Sequence, residues 1–287
     1  MLSARHRCRA LVAVLSSALV FSAGSYASAV PRSHDSPSTP TPAAARAGVA
    51  PENAYMGWRN RTETTPPTRQ TRQTTITTAA TSTSVQGIDV ASYQGNVNWS
   101  YWWSQGKRFA YVKATEGTSY RNPYFSSQYR GSYNIGMIRG AYHFARPANS
   151  SGIAQADYFV RYGGSWSRDG RTLPGVLDIE YNPYGATCYG LTQVQIVSWI
   201  KAFTTRYKQR TGRDAVIYST YDWWSRCTGN STAFNRTNPL WIARYSTSPG
   251  TLPGGWLYYT FWQYTSTPID QDRFSGSYTR LKALALG

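Results

Sequence analysis

Asp178 and Glu180 are two carboxylates one residue apart in the run 175–181, which is otherwise typical of a buried strand. Side chains alternate faces along a strand, so both carboxylates are expected on one face. Two acids on a partly dry face raise the cost of ionising each other, which leaves one protonated and one charged near neutral pH. The pair therefore predicts acid-catalysed bond cleavage, and the alternative is structural pairing with some of the many arginines.

Turn-forming residues, 182–185, follow this pair directly and mark the end of the strand. In parallel α/β architectures, sites are built at the edge formed by the carboxyl ends of the strands. That position favours a catalytic role for Asp178 and Glu180 over the role of ordinary loop-edge acids.

Strand-like and helix-like stretches alternate along the chain. Strands are predicted at residues 87–90, 109–113, 138–144, 175–180, 215–218, 240–243 and 259–264. Helices are predicted at residues 99–105, 123–135, 153–162 and 192–211. The later connections, 219–239 and 246–257, are rich in Gly, Pro and Ser and are expected to be short on helix. The pattern predicts an irregular, TIM-like (β/α) barrel with about eight strands and fewer than eight helices.

Further acids fall in or just after predicted strands: Asp89, Glu116, Asp270 and Asp272. Asp89 and Asp270 come from opposite ends of the chain, so they meet Asp178 and Glu180 only if the sheet closes. Their clustering is therefore a prediction of the closed barrel.

Residues 1–29 combine three arginines, an apolar stretch and the small residues 27–29, which predicts a secretory signal peptide. The apolar stretch is too short to span a membrane, so we expect a secreted, extracellular protein without a stable membrane anchor. Residues 30–84, here called the leader, are rich in Ser, Thr, Pro and Ala and are expected to be a disordered linker or a removable pro-segment. Residues 85–287 are expected to form the catalytic barrel domain.

One short aromatic cluster, AYMGW at residues 54–58, interrupts the leader. A docking or pro-peptide motif is one interpretation of this cluster. A stray hydrophobic cluster is the favoured interpretation, because single short motifs predict weakly. No catalytic role is assigned to it.

Residues 85–287 carry 21 Lys and Arg against 10 Asp and Glu, a formal excess of 11 positive charges. In an exported domain this excess favours anionic partners, and the candidates are nucleic acid, heparin-like polymers and acidic cell-wall polymers. The basic residues are scattered singly, so no nucleic-acid partner is predicted. We expect a monomer.

The cysteine and histidine content limits the chemistry. Cys8 is removed with the signal peptide, which leaves Cys188 and Cys227 to form a disulfide that staples two long loops. His143 is the single histidine of residues 85–287, so a His-rich zinc site cannot form, and no metal or cofactor is expected. No Gly-x-Ser-x-Gly motif is present, and mid-strand His143 is expected to be hydrogen-bonded and structural.

Six motifs follow one another along the chain: GIDVASYQG (87–95), YVKATEG (111–117), GAYHF (140–144), LDIE (177–180), FWQYTS (261–266) and IDQD (269–272). In this order they resemble the family 25 glycoside hydrolases, the Chalaropsis-type lysozymes, over residues 86–275. The resemblance implies an N-acetylmuramidase that cuts the β-1,4 bond between N-acetylmuramic acid and N-acetylglucosamine in peptidoglycan glycan strands. It also implies an irregular α/β barrel with fewer helices than the full fold.

The resemblance also implies roles for individual acids. Glu180 matches the proton donor of the family, and Asp178 matches its partner carboxylate. Asp89 and Asp270 match acids that line the sugar-binding floor. Asp272 stands where the family motif often has Asn, so it is expected to be a structural neighbour of the site.

Sugar faces stack on aromatic rings, and three tyrosines match site-lining aromatics of the family. The expected sugar contacts are Tyr142, Tyr181 and Tyr218. Spacing on a strand does not choose between retention and inversion of the anomeric centre. The favoured route is substrate-assisted: the 2-acetamido group of the sugar attacks the anomeric carbon, and Asp178 stabilises the cyclic cation.

Two other functions compete with this interpretation. One is a binding module that grips peptidoglycan or chitin without cutting it, and the other is a hydrolase that acts on chitin. The presence of both Asp178 and Glu180 disfavours an inactive module.

Overall fold

The computed structural model describes residues 54–59 and 84–287. This part of the chain contains nine strands: β1 (Val85–Val90), β2 (Phe109–Glu116), β3 (Tyr120–Arg121), β4 (Ile138–Phe144), β5 (Val176–Asp178), β6 (Val216–Ser219), β7 (Leu240–Ala243), β8 (Phe261–Thr265) and β9 (Gln271–Phe274). It also contains six helices: α1 (Trp99–Ser104), α2 (Phe125–Asn134), α3 (Gly152–Phe159), α4 (Gln193–Thr211), α5 (Tyr221–Thr228) and α6 (Tyr278–Leu286). Within these residues, no helix has the length and apolar character needed to cross a membrane.

Eight strands close into a ring in the order β1-β9-β8-β7-β6-β5-β4-β2, and β1 pairs with β2 to complete it. Strand β9 is antiparallel to both of its neighbours, and the other pairs in the ring are parallel. The short β3 adds an antiparallel ribbon to β2. The predicted fold class, an irregular (β/α) barrel with fewer helices than strands, is confirmed.

Large aromatic side chains fill the inside of the ring. Tyr111 on β2 and Trp241 on β7 belong to strands on opposite sides of the ring, yet their ring centroids are 4.9 Å apart. Glycines on neighbouring strands make room for these rings: a Cβ at Gly87 would lie 2.5 Å from Phe109, and one at Gly140 would lie 2.2 Å from Tyr111. The barrel is therefore a packed core with its site above it.

Helices cover the outside of the ring and bury its alternate residues. The longest, α4, begins at a capping box in which Thr192 accepts from the Gln195 amide and Gln195 accepts from the Thr192 amide. It ends at Gly212, whose φ of 74° is the left-handed conformation that glycine adopts without steric cost. These signals explain why the helix predicted at 192–211 is confirmed almost to the residue.

Three elements differ from the sequence prediction. The connection 219–239, expected to be short on helix, contains α5, a two-turn helix held by the buried Trp223 and Trp224 rather than by propensity. The chain also ends in an unpredicted helix, α6. Strand β9 was not predicted, because its sequence is polar and lacks the apolar pattern of the other strands. It places Asp272 on the inside of the barrel. Strand β5 ends at Asp178, so Glu180 lies just beyond it.

Candidate active site

The acids predicted to converge do so at one end of the barrel. Parallel strands end at this edge, and the antiparallel β9 begins at it, so residues near 89, 178 and 270 share it. The Asp89 amide donates to the Asp270 carbonyl at 3.3 Å, which joins the two ends of the chain. Asp89, Asp178, Glu180 and Asp270 are all buried. The sheet is closed, as the clustering of these acids requires, and its closure brings them together.

Asp178 and Glu180 lie side by side with both side chains fully buried. The Ile179 amide donates to the Tyr218 carbonyl at 3.1 Å, so the backbone between the two acids remains paired after β5 ends. Burial raises the pKa of Asp178 well above its usual value, against the opposing charge of Lys113. Two buried carboxyl groups in contact share one proton, so the protonated group donates a hydrogen bond to the ionised one.

No donor among the described residues reaches either carboxylate oxygen of Asp178, apart from a protonated Glu180. Buried carboxylates are ordinarily satisfied by hydrogen bonds. Asp178 therefore has acceptor capacity that an incoming N–H or O–H group can use.

A buried ion pair stands beside the acids. Lys113 Nζ lies 2.7 Å from Glu116 Oε2, and neither side chain is exposed. Arg146 Nη1 lies 4.0 Å from Glu116 Oε1. Lys113 lowers the pKa of Asp178 and Glu116 raises it, so this pair tunes the charge at the candidate catalytic residues.

A hydrogen-bonded chain links the opposite wall of the site. Gln263 Nε2 donates to Asp89 Oδ2 at 2.8 Å, and the Tyr218 hydroxyl donates to Gln263 Oε1 at 2.7 Å. The Tyr245 hydroxyl lies 3.3 Å from both Gln263 Oε1 and Asp270 Oδ1. Two acids, an amide and two phenols are thus held in fixed positions at this end of the barrel.

Asp272 lies one layer deeper, level with Gly87 and Gln263 across the neighbouring strands. Burial and the nearby Asp270 charge raise the pKa of Asp272 well above its usual value. Asp272 and Asp270 also raise the pKa of Asp89, after burial itself. This placement agrees with the expected role of Asp272 as a neighbour of the site.

The three predicted tyrosines occupy two kinds of position. Tyr142 and Tyr218 are buried on inward-facing strand positions, and the pKa of each hydroxyl is raised first by burial and then by the nearby acids. Tyr181 packs in the outer layer with Leu177, and its hydroxyl donates to Asp222 Oδ2 at 2.9 Å. Tyr142 and Tyr218 therefore have the geometry expected of site residues, whereas the ring of Tyr181 stands at the rim.

Sequence reasoning missed three participants. Tyr245 follows β7 directly, and its position after a barrel strand is the signal that could have found it. Lys113 lies in the motif at residues 111–117 and Gln263 in the motif at residues 261–266, but the sequence alone predicted no role for either residue. A lysine at an inward-facing position of a fully buried strand is itself such a signal, because an unpaired buried ammonium is costly.

Residues 54–59 lie across this site. The Gly57 amide donates to Glu180 Oε1 at 2.6 Å, and Trp58 Nε1 donates to the Tyr181 carbonyl at 3.0 Å. Ala54, Met56 and Trp58 are buried. The interpretation of this stretch as a stray hydrophobic cluster is therefore wrong, because it packs on the candidate catalytic residues.

Two further predictions concern residues outside the site. His143 is buried between Thr115 Oγ1, at 2.8 Å from Nδ1, and Gln155 Oε1, at 2.9 Å from Nε2, and burial lowers its pKa to about 3. Its structural role is confirmed. Cys188 and Cys227 form the predicted disulfide, but Cys227 belongs to helix α5, so the bridge joins a loop to a helix rather than two loops.

The described residues, 54–59 and 84–287, contain no cluster of three or more His, Cys, Asp or Glu side chains placed to hold a metal ion. The arrangement instead offers a proton-sharing acid pair, fixed acceptors and aromatic walls. These groups suit proton transfer to a leaving oxygen, followed by stabilisation of positive charge on carbon.

Comparison with known proteins gives consistent matches. A family model described as glycosyl hydrolases family 25 matches residues 88–272. Lysozyme M1 of Streptomyces globisporus is 50% identical over 245 residues, covering 83% of this chain and 83% of that protein. The N,O-diacetylmuramidase of a Chalaropsis species is 51% identical over 211 residues, covering 71% of this chain and 100% of that protein. The muramidase structure from Acremonium alcalophilum matches with a TM-score of 0.70 and 55% identity, covering 71% of this chain and 99% of that one.

The extent of these matches differs along the chain. Residues 84–287 are 204 of 287 residues, which is 71% of the chain. The match with the Chalaropsis protein covers an equal share, 71% of this chain, and its own whole length. The match with Lysozyme M1 covers 83% of the chain, so it must include part of the leader.

Proposed function

Because the chain belongs to family 25 of the glycosyl hydrolases, we propose that it is a secreted muramidase. It hydrolyses the β-1,4 bond between N-acetylmuramic acid and N-acetylglucosamine in peptidoglycan. The observation that carries this proposal is the buried Asp178–Glu180 pair at the carboxyl end of the barrel, surrounded by acids and tyrosines. In (β/α) barrels, catalytic residues are found at this end.

Glu180 is assigned as the proton donor. An alkoxide is a poor leaving group, so cleavage of a glycosidic bond needs a proton on the bridging oxygen as the C–O bond lengthens. A carboxyl group that shares one proton with a buried neighbour stays protonated at a pH where an exposed acid has ionised. Contact with Asp178 and full burial provide that condition for Glu180.

Asp178 is assigned as the partner carboxylate of a substrate-assisted route. The carbonyl oxygen of the substrate's 2-acetamido group attacks the anomeric carbon, and Asp178 accepts the acetamido N–H and offsets the positive charge of the cyclic cation. Water then opens the ring and completes the hydrolysis. The two Asp178 oxygens without another donor support this role. Mass spectrometry that detected a glycosyl adduct on Asp178 would contradict it.

Asp89 and Asp270 are assigned to the floor of the sugar-binding cleft, and Tyr142 and Tyr218 to its walls. Asp89 and Asp270 are tied together through Gln263 and Tyr245, which supports a pre-organised set of acceptors for sugar hydroxyls. Tyr181 remains a proposed contact at the rim. Anionic wall polymers are proposed as further partners, because residues 85–287 carry an excess of 11 positive charges.

Export is proposed from the signal-like residues 1–29, with residues 85–287 as the catalytic domain. The disulfide between Cys188 and Cys227 supports an oxidising compartment. No oligomer is needed for the site, since the acids and tyrosines assigned to it all come from one chain.

The test uses a protein of residues 84–287, because all strands of the barrel and the family match at residues 88–272 lie within it. This protein should clear a peptidoglycan suspension, and Glu180→Gln should slow clearing by about 10²–10⁴-fold because the donated proton is lost. Circular dichroism of both proteins provides the control for folding. Equal clearing by a folded Glu180→Gln protein would remove Glu180 from the mechanism, and binding without clearing by the unmutated protein would favour a non-catalytic module.

A further inference from the structure

The backbone of residues 54–59, the 54–59 segment, crosses the opening above the Asp178–Glu180 pair. At its centre the Gly57 amide donates to Glu180 Oε1 at 2.6 Å, and the Gly57 carbonyl lies 3.5 Å from the Tyr245 hydroxyl. Met56 is fully buried in the same apolar cluster as Tyr142 and Tyr218. The segment thus contacts groups from both walls of the proposed sugar-binding cleft.

Both ends of the segment are anchored on the rim of the barrel. The Ala54 carbonyl accepts from Lys113, and the Ala54 amide donates to the Tyr184 hydroxyl at 3.1 Å. At the other end, Trp58 Nε1 donates to the Tyr181 carbonyl at 3.0 Å. Backbone and side chains are therefore held at several points, as in a bound peptide ligand.

Aromatic contacts extend the attachment beyond the hydrogen bonds. Tyr55 packs edge-on against Tyr93, with ring centroids 5.0 Å apart. The guanidinium of Arg59 lies over the ring of Tyr181, 4.6 Å from its centroid. Arg59 therefore covers a face that the Tyr181 ring would offer to a sugar.

The centre of the segment fits only a glycine. Gly57 has a φ of 74°, in the left-handed region. A Cβ at this position would lie 2.6 Å from both Gln263 Oε1 and the Tyr245 hydroxyl, and 2.9 Å from the Tyr218 hydroxyl. A larger residue at 57 would therefore have to leave the cleft while the barrel itself stays unchanged.

We infer that the 54–59 segment is a built-in peptide inhibitor that holds the enzyme latent until the segment leaves the cleft. This inference rests on the proposed muramidase function. Substrate and segment compete for Glu180, Tyr218 and the apolar surface on which Met56 packs, so they cannot bind together. The Gly57 N–H also occupies Oε1 of Glu180, the carboxyl group assigned to proton transfer.

Attachment to the same chain makes this inhibitor effective. A covalent tether of a few tens of residues keeps a segment near its site at about millimolar effective concentration. An external protease that hydrolyses one peptide bond in residues 60–83, with uptake of one water, would separate the segment from the barrel. The segment would then lose its high effective concentration. Arg61, Arg69 and Arg72 lie in this stretch and are sites for a trypsin-like protease. The match with Lysozyme M1 covers 83% of the chain and so extends into the leader.

The test compares peptidoglycan clearing by four proteins: residues 30–287, the same chain with Gly57→Val, the same chain with Gly48→Val, and residues 84–287. Gly48 is a second leader glycine outside the 54–59 segment, so it carries the matched substitution. We expect residues 30–287 and the Gly48→Val chain to be slower than residues 84–287 by at least about tenfold, given the effective concentration of a tethered segment. Gly57→Val should restore most of the rate.

Hydrogen exchange gives a readout that does not depend on activity. Amides of the 54–59 segment should exchange slowly in residues 30–287 and as fast as those of a free peptide of the same sequence in the Gly57→Val chain. Equal clearing by residues 30–287 and 84–287, or unprotected amides in the segment, would overturn the inference and leave the muramidase proposal standing. A folded but inactive protein of residues 84–287 would instead overturn the proposed function, while exchange would still show whether the segment binds.

Discussion

Asp89, Asp178 and Asp272 share one physical property: burial raises the pKa of each carboxyl group well above its usual value. Each keeps its proton to a higher pH in the folded protein than in the unfolded chain. Burial and the charges of neighbouring acids both oppose ionisation in this cluster. Such a cluster costs stability, and its presence at the proposed catalytic centre is the usual compromise between activity and stability.

Asp272→Asn should stabilise the protein at neutral pH. The usual pKa of Asp is 3.8 and burial raises that of folded Asp272, so between these values the folded state binds more protons than the unfolded state. The free energy of unfolding then falls as pH rises through this window. We expect the gain from Asp272→Asn to be larger at pH 7 than at pH 4, measured by urea unfolding.

Asp157→Asn is the control of opposite sign. The hydrogen bond from Arg206 lowers the pKa of Asp157, so its contribution to stability is present above the usual pKa and is lost as pH falls. This substitution should destabilise the protein more at pH 7 than at pH 4. A pH-independent effect of Asp272→Asn would show that its folded pKa is not raised.

Strands β1 and β4 carry inward-facing glycines, Gly87 and Gly140, opposite aromatic residues of the adjacent strand β2. Gly140→Ala should therefore destabilise the barrel, because the new Cβ would lie 2.2 Å from the Tyr111 ring, which Trp241 and Phe261 hold in place. We expect a loss of about 1–3 kcal/mol in the free energy of unfolding, typical of overpacking. Urea unfolding with an unchanged slope is the measurement.

Gly185→Ala is a matched control on a surface loop. Its new Cβ would meet only the end of the Asn182 side chain, at 3.3 Å. The free energy of unfolding should change by less than about 0.5 kcal/mol. Equal losses at the two positions would mean that the barrel interior repacks freely around residue 140.

Sequence patterns predicted seven of the ring's strands because buried parallel strands are continuously apolar or aromatic. The eighth, β9, escaped because its inward residues include the charged Asp272. Helix α4 was predictable from its capping box and its terminal glycine, whereas α5 depends on tertiary packing of its tryptophans. Asp178 and Glu180 stood out by spacing. Tyr245 and the 54–59 segment did not, because their contacts exist only once the cleft has formed.

At the scale of the whole molecule, charge should govern how the enzyme adsorbs to its substrate. Residues 85–287 carry an excess of 11 positive charges, and salt screens attraction between exposed charges. Adsorption of residues 84–287 to anionic cell walls should weaken steeply between about 0.05 M and about 1 M salt, where the Debye length shrinks to about 3 Å.

Hydrolysis of a short soluble glycan fragment is the control for this salt effect, because its rate should change much less over the same range. Adsorption is measured by sedimentation of the walls with bound protein. Adsorption that stays constant with salt would assign wall binding to the cleft alone.

In the proposed mechanism, the Asp178–Glu180 pair cleaves the glycan on the muramic acid side. Mass spectrometry of borohydride-reduced fragments released by residues 84–287 is the measurement that tests this assignment, because reduction marks the sugar whose anomeric carbon was attacked. We expect fragments that end in reduced N-acetylmuramic acid and that are absent with Glu180→Gln. Fragments ending in reduced N-acetylglucosamine would contradict it.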